Sequence, residues 1–195
     1  GKILNVNNID IWYEEYGEQF NETIVLIMGA NANCKHWDQE FIDQLVLNNF
    51  HVIRFDNRDV GKSTLIGKEP GLNKILKFFP AFLLKFIVNS IFGLAVDDKG
   101  KFKFSESSPT HYDLSDMAKD AVSLMEELKI EKAHIIGASM GGMITQIIAL
   151  DYPEKVLSIT PIMTSPGIQN ESLSGPTKGL LEAMKKSFIF NLKGR

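Results

Sequence analysis

The chain has 195 residues, 44% of them hydrophobic, and a formal net charge of −3. This length allows one substantial hydrophobic core and argues against two separate domains. Because the chain has no excess of basic residues, we do not expect nucleic acid to be a partner.

Cysteine content and the first residues bear on the compartment. Cys34 is the single cysteine, so no disulfide can form within the chain. The first residues lack the long apolar segment of a secretory signal. Both features favour a cytoplasmic protein.

The apolar pattern predicts strands that alternate with helices. Residues 3–16 contain two apolar stretches separated by Asn7 and Asn8, which predicts an antiparallel hairpin at a sheet edge. Continuous apolar runs predict parallel strands buried on both faces, at residues 23–28, 52–55, 133–136 and 156–163. Apolar residues recur at helical spacing over 113–128, with Asp113 as the expected N-cap. This alternation predicts an α/β fold with a doubly wound, mostly parallel sheet.

Residues 65–108 interrupt this alternation and are predicted to be an apolar helical insertion. Their middle, residues 78–96, is the most apolar part of the chain. Pro80, Lys85 and Asn89 interrupt it, which argues against a membrane-spanning helix. Two interpretations stay open: a segment packed on the domain, or an apolar wall over the site that accepts an acyl group or touches a membrane surface.

A serine is flanked by glycines between a predicted strand and a predicted helix. Gly137, Ser139 and Gly141 form the pattern G-x-S-x-G, which follows the apolar residues 133–136. A nucleophile on a sharp strand-to-helix turn needs neighbours without side chains, because the turn crowds them. The sequence therefore predicts that Ser139 is a catalytic nucleophile of acyl transfer.

Acyl transfer also needs hydrogen-bond donors for the developing oxyanion. The backbone N–H of Met140, at the start of the following helix, is one predicted donor. The second is the backbone N–H of Ala30, in the loop after the strand at 23–28, where Gly29 lets the backbone turn inward. This chemistry requires no metal and no organic cofactor.

The segment after the strand at 52–55 holds several charged residues. Gly61, Lys62 and Ser63 are reminiscent of a phosphate-binding loop, but that motif needs a glycine where Asp56 stands. We instead expect Asp56, Arg58 and Gly61 to form a structural turn that supports the loops beneath the serine.

Together these motifs resemble the α/β-hydrolase superfamily, in particular the small esterase and haloperoxidase-like branch that includes anthracycline methyl esterases. The resemblance rests on residues 28–30, the pattern D-x-R-x-x-G-x-S at 56–63, and G-x-S-x-G-G at 137–142. It covers nearly the whole chain and is weakest at 65–108. It implies an α/β-hydrolase core over 1–164, incomplete at its C-terminal sheet edge, and the start of a helical cap over 165–195.

The resemblance also implies a catalytic acid and a histidine after the nucleophile. All four histidines precede Ser139, namely His36, His51, His111 and His134. We therefore expect the acid and the base to lie outside this chain. The strand at 156–163 would then need cover from a second polypeptide or from self-association, since an apolar edge strand invites aggregation.

Three functions fit these observations. The first is a serine hydrolase that acts on carboxylic esters, lipophilic ones if residues 78–96 reach the pocket. The second is a shortened, non-catalytic protein of the same fold that binds a ligand or a partner. The third is another hydrolase chemistry on the same scaffold, such as thioester or carbon–carbon bond cleavage.

Overall fold

The structure is a computed structural model that describes residues 1–67 and 111–166, together with isolated positions at 80, 83, 87, 89, 90, 179, 182, 183 and 186. The chain divides into two compact units. The first comprises residues 1–67 and 110–167, and the second comprises residues 68–109 and 168–195. The predicted insertion at 65–108 and the predicted cap at 165–195 lie almost wholly outside the described residues.

The first unit is a sheet of six strands with three helices. In chain order these elements are β1 (Lys2–Val6), β2 (Ile9–Tyr16), β3 (Glu22–Ile27), α1 (Gln39–Leu47), β4 (Phe50–Phe55), α2 (Leu114–Glu127), β5 (Ala133–Ala138), α3 (Met140–Asp151) and β6 (Val156–Ile162). The strand order is β1-β2-β4-β3-β5-β6. Strands β4, β3, β5 and β6 are parallel, whereas β1 and β2 are antiparallel to their neighbours. The predicted mostly parallel α/β sheet is confirmed.

Local sequence explains the ends of several elements. Asn7 and Asn8 have φ of 48° and 63°, as a tight hairpin turn requires, and they join β1 to β2. At the start of α2, the Asp113 side chain accepts hydrogen bonds from the backbone N–H groups of Ser115 and Asp116. The Asp116 side chain accepts one from the Asp113 N–H, which completes a capping box. The predicted hairpin and N-cap are therefore confirmed.

Apolar residues cover both faces of the sheet. On one face, Ile42 of α1 belongs to a buried cluster with Leu26 and Val52. On the other face, helices α2 and α3 bury apolar side chains against the alternate residues of the same strands, and the cluster includes Met117, Ala121, Leu124, Ile144, Ile148, Val25, Ile27, Ile53 and Ile135. Residues 23–27 of β3 are thus buried on both faces, as predicted from their continuous apolar run.

Strand β6 does not match its prediction. Its residues are mostly exposed rather than buried on both faces, and Leu157 is 49% and Ile162 37% exposed. The reason is its position, because β6 is the last strand of the described sheet and pairs only with β5. Pro161, which cannot donate a hydrogen bond to a ladder, is compatible with an edge position.

No helix among the described residues has the length and apolar character needed to cross a membrane.

A buried ion pair ties the segment after β4 to helix α2. Arg58 is 5% exposed and Asp120 is 2% exposed. Arg58 Nε and Nη2 each donate a hydrogen bond of 2.7 Å to the Asp120 carboxylate, which also accepts one of 2.8 Å from Asn7 Nδ2. The Tyr112 ring lies over the guanidinium at 4.8 Å.

We predict that Asp120→Ala lowers the free energy of unfolding by about 3–5 kcal/mol, because it leaves the buried Arg58 without a counter-charge. Urea denaturation followed by circular dichroism measures this change. The control is Asp43→Ala, which removes an exposed carboxylate bonded only to Gln39 among described side chains. Equal losses in both variants would contradict the prediction.

Candidate active site

Ser139 lies at the sharp turn between β5 and α3. Its backbone has φ 54° and ψ −117°, a conformation that L-residues rarely adopt and that costs about 1–3 kcal/mol. The Ser139 N–H donates a hydrogen bond of 2.9 Å to the Ile162 carbonyl, and its carbonyl accepts one of 2.7 Å from Thr164 Oγ1. The residue is exposed, whereas Ala138 before it is buried. The turn thus presents the hydroxyl group at the carboxyl end of the parallel strands.

The turn depends on glycines that have no room for a side chain. A Cβ atom at Gly137 would lie 2.2 Å from the Gly141 carbonyl oxygen and 2.2 Å from Thr145 Oγ1. A Cβ atom at Gly141 would lie 2.2 Å from the Ile27 carbonyl oxygen. Helix α3 therefore packs against the ends of β3 and β5 so closely that their backbone atoms are in contact. Gly142, which the sequence analysis did not single out, is equally constrained, because its Cβ would lie 2.5 Å from Thr164 Cγ2.

The loop after β3 passes directly beside the serine. A Cβ atom at Gly29 would lie 3.2 Å from Ser139 Cβ and 3.7 Å from Ser139 Oγ. Gly29 is therefore a neighbour of the hydroxyl group, and Ala30 follows it in the same loop. We find no hydrogen bond from the Ala30 or Met140 N–H to another described residue. Within the described part of the chain, both predicted oxyanion donors therefore have no hydrogen-bond acceptor.

Two consecutive side chains after β4 hold both ends of this loop. Asn57, 2% exposed, donates a hydrogen bond of 2.9 Å from Nδ2 to the Met28 carbonyl. Asp56, 3% exposed, accepts one of 2.8 Å from the Cys34 N–H. The loop over residues 29–33 is therefore fixed at its first and last peptide groups. Asn57 was missed by sequence reasoning, because an asparagine after a strand is common in any loop.

The remaining predicted residues of this turn have separate roles. The second carboxylate oxygen of Asp56 accepts a hydrogen bond of 2.9 Å from the Lys62 N–H. Gly61 has φ +61°, and a Cβ there would lie 2.0 Å from Asp56 Oδ2. Arg58 is predicted, with Asp56 and Gly61, to support the loops beneath the serine, but its hydrogen bonds reach Asp120 and the Asp116 carbonyl on helix α2. The turn therefore holds the loop over residues 29–33 through Asp56 and helix α2 through Arg58.

Cys34 lies at the end of the loop that Asp56 holds. Its side chain is fully buried, and burial together with the nearby Asp56 carboxylate raises the pKa of the thiol well above its ordinary range. The thiol therefore stays protonated at neutral pH and is a packing group rather than a nucleophile.

None of the histidines is hydrogen-bonded to Ser139 among the described residues. His36 contacts Asn33 in its own loop. His51 and His134 lie near the amino ends of their strands, where they contact Thr23 and Ser158 respectively. His111, also described, precedes α2 and is exposed. The described residues therefore bring the loop after β3 beside Ser139, but no described histidine is hydrogen-bonded to this serine.

A cavity among the described residues lies away from the serine. It has a volume of about 590 Å³, and its lining includes Glu15, Thr23, His51 and Ile130. Thr23 and His51 lie near the amino ends of β3 and β4, and none of the predicted site residues belongs to the lining. The turn at Ser139 is therefore the candidate site, because this cavity contains none of the atoms that the proposed chemistry uses.

The chain is similar in sequence to known hydrolases. Rhodomycin D methylesterase DnrP of Streptomyces peucetius is 25% identical over 162 residues, which cover 83% of this chain and 41% of that protein. The chain thus spans less than half the length of this relative.

Solved structures show the same fold. One, reported with carboxylesterases of the thaumarchaeon Nitrososphaera gargenis, has a TM-score of 0.61 at 24% identity and covers 99% of this chain and 54% of its own. The enol-lactonase from Burkholderia xenovorans LB400 has a TM-score of 0.58 at 20% identity, covering 84% of this chain and 47% of its own.

The family model for the alpha/beta hydrolase fold matches residues 22–190. This match includes the strand, turn and helix around Ser139, and the chain belongs to the α/β-hydrolase family.

Proposed function

We propose that this chain is the nucleophile-bearing part of a serine hydrolase that acts on carboxylic esters. The observation that carries the proposal is the exposed Ser139 in its strained turn, with Gly29 beside its side chain. The methylesterase named among the relatives supports an ester as the substrate class. A lipophilic ester is our more specific proposal, from the apolar residues 78–96, which lie outside the described residues.

The proposed mechanism proceeds through an acyl-enzyme. Ser139 Oγ attacks the ester carbonyl while a general base takes the hydroxyl proton. The N–H groups of Ala30 and Met140 stabilise the tetrahedral oxyanion, and the alcohol then leaves with a proton. Water hydrolyses the acyl-enzyme in the second half of the cycle. The base and its acid partner are proposed to lie on residues outside this chain, and the protein to act in the cytoplasm.

One observation favours a second candidate function. Because no described histidine contacts Ser139, a non-catalytic protein that binds an apolar ligand or a partner would have the same described structure. The two proposals differ in their reaction with a serine-directed phosphonate, which needs an activated hydroxyl group.

We predict that Ser139→Ala lowers turnover of an unactivated methyl ester by a factor of about 10⁴ or more in the complete enzyme, because the nucleophile is lost. Turnover is measured by release of methanol, and phosphonate labelling of Ser139 by mass spectrometry. Ser115→Ala, at an exposed serine in the first turn of α2, is the control. Unchanged turnover in Ser139→Ala would exclude the esterase proposal. Saturable ligand binding without labelling would favour the binding protein.

We predict that Asn57→Leu lowers kcat about 10- to 100-fold with a smaller change in KM. The variant removes the hydrogen bond to the Met28 carbonyl and so releases one end of the loop over residues 29–33, which carries the proposed donor Ala30. Because loss of a whole oxyanion donor lowers kcat about 10²- to 10³-fold, we expect a smaller effect from the loss of one anchor of its loop. Asn48→Leu is a matched control, because Asn48 Nδ2 makes the same kind of bond to the Gln44 carbonyl on the exposed end of α1. Equal effects of the two variants on kcat would contradict a role of Asn57 in the site.

We also propose that another strand covers β6, supplied by a second polypeptide or by a second copy of the chain. Leu157 and Ile162 are exposed apolar residues of this strand, and unpaired edges of this kind associate readily.

We predict that the isolated chain self-associates with increasing concentration and that Leu157→Lys abolishes this association, measured by sedimentation velocity. Ile3→Lys is the control, because Ile3 is 60% exposed on the opposite edge strand β1. A monomeric chain would contradict self-association, and native mass spectrometry of the protein from its source then tests for the second polypeptide. A monomer with no partner would contradict the proposal altogether.

A further inference from the structure

A second serine lies in a hydrogen-bonded row with a histidine and a glutamate, at the end of the sheet opposite Ser139. Glu22 begins β3, His134 is the second residue of β5, and Ser158 is the third residue of β6. In the sheet, His134 pairs with Ile24 on one side and with Ser158 on the other. Side chains two residues apart on a strand share a face, so Glu22, His134 and Ser158 project from the same face.

The three side chains are joined through the imidazole ring. His134 Nδ1 lies 2.7 Å from Ser158 Oγ, and Nε2 lies 2.8 Å from Glu22 Oε1. Ionised Glu22 can only accept a hydrogen bond, so Nε2 donates to it. Nδ1 of the neutral ring then accepts from the Ser158 hydroxyl. A hydroxyl bonded to a base that a carboxylate orients is the arrangement that activates serine nucleophiles.

Accessibility distinguishes this row from a similar one on the opposite face. Ser158 is exposed, and the side chains of His134 and Glu22 are 26% and 58% exposed. On the other face, Thr23 Oγ1 lies 3.2 Å from His51 Nδ1, but Thr23 is only 3% exposed. A reagent from solution can therefore reach the Ser158 hydroxyl and not that of Thr23.

We propose that Ser158 is a second nucleophilic serine, which reacts with small activated acyl donors such as aryl esters. Ser158 Oγ forms a bond to the carbonyl carbon as its proton moves to His134 Nδ1, and Glu22 stabilises the resulting imidazolium. The bond to the aryl oxygen then breaks, and the leaving group takes the proton from His134. The products are a phenol and acyl-Ser158, which water hydrolyses with the same proton transfers.

The test uses the chain with Ser139→Ala, so that the site proposed above cannot contribute. We expect p-nitrophenyl acetate to acetylate Ser158, located by tandem mass spectrometry in the tryptic peptide 156–178. Adding His134→Gln lowers the acetylation rate about 100-fold, the lower range of general-base contributions. Adding Glu22→Gln lowers it less, because the base remains and only its orientation is lost.

Two internal comparisons make the result decisive. Glu18→Gln removes an exposed carboxylate that pairs with Lys2 and does not contact His134, so it leaves the rate unchanged. Ser115 is an exposed serine whose rate of acetylation gives the background. Acetylation of Ser158 no faster than that of Ser115, or a rate unaffected by both His134→Gln and Glu22→Gln, would overturn the proposal. Because Ser139 is absent throughout, this outcome is independent of the esterase proposal.

Discussion

The architecture of the site depends on the backbone of Ser139, which a strand and a helix hold in a strained conformation. Three backbone hydrogen bonds fix it, because the Ser139 N–H donates to the Ile162 carbonyl and the Ser139 carbonyl accepts from the N–H groups of Gly142 and Met143. Helix α3 also approaches β3 closely, at Gly141 and the Ile27 carbonyl. A strain of about 1–3 kcal/mol persists only where surrounding contacts outweigh it. Here most of the contacts are between backbone groups, and Thr164 Oγ1 adds a side-chain hydrogen bond to the Ser139 carbonyl. Side chains at Gly137 and Gly141 would disrupt this close packing.

The strained turn can serve acyl transfer only if the loop beside it, residues 29–33, is also held in place. Asp56 and Asn57 achieve this from β4, the strand next to β3, with hydrogen bonds to the two ends of the loop. Both side chains are at least 97% buried, and a buried polar group without its partner costs about 1–3 kcal/mol. The same bonds that stabilise the fold therefore also determine where the Gly29–Ala30 backbone lies.

The two ends of the sheet carry different chemistry for a topological reason. Parallel strands place all their carboxyl ends together, and the loops from those ends converge on Ser139. The amino ends carry the polar residues that begin each strand, including Glu22, Thr23, His51 and His134. The row of Glu22, His134 and Ser158 arises because β3, β5 and β6 are adjacent in this order.

The sequence by itself determined the strand and helix pattern, and it predicts the nucleophile at Ser139 and the oxyanion donors of Ala30 and Met140. These features are local, since the hairpin at Asn7–Asn8, the cap at Asp113 and the glycines around Ser139 each act within a few residues of the chain. Tertiary structure decided the rest. Three kinds of contact join residues 24 to 112 positions apart: the bond of Asn57 to Met28, the ion pair of Arg58 with Asp120, and the contacts of His134. The exposure of β6 likewise follows from its place at the edge of the described sheet. Such contacts depend on strand order and register, which no local pattern encodes.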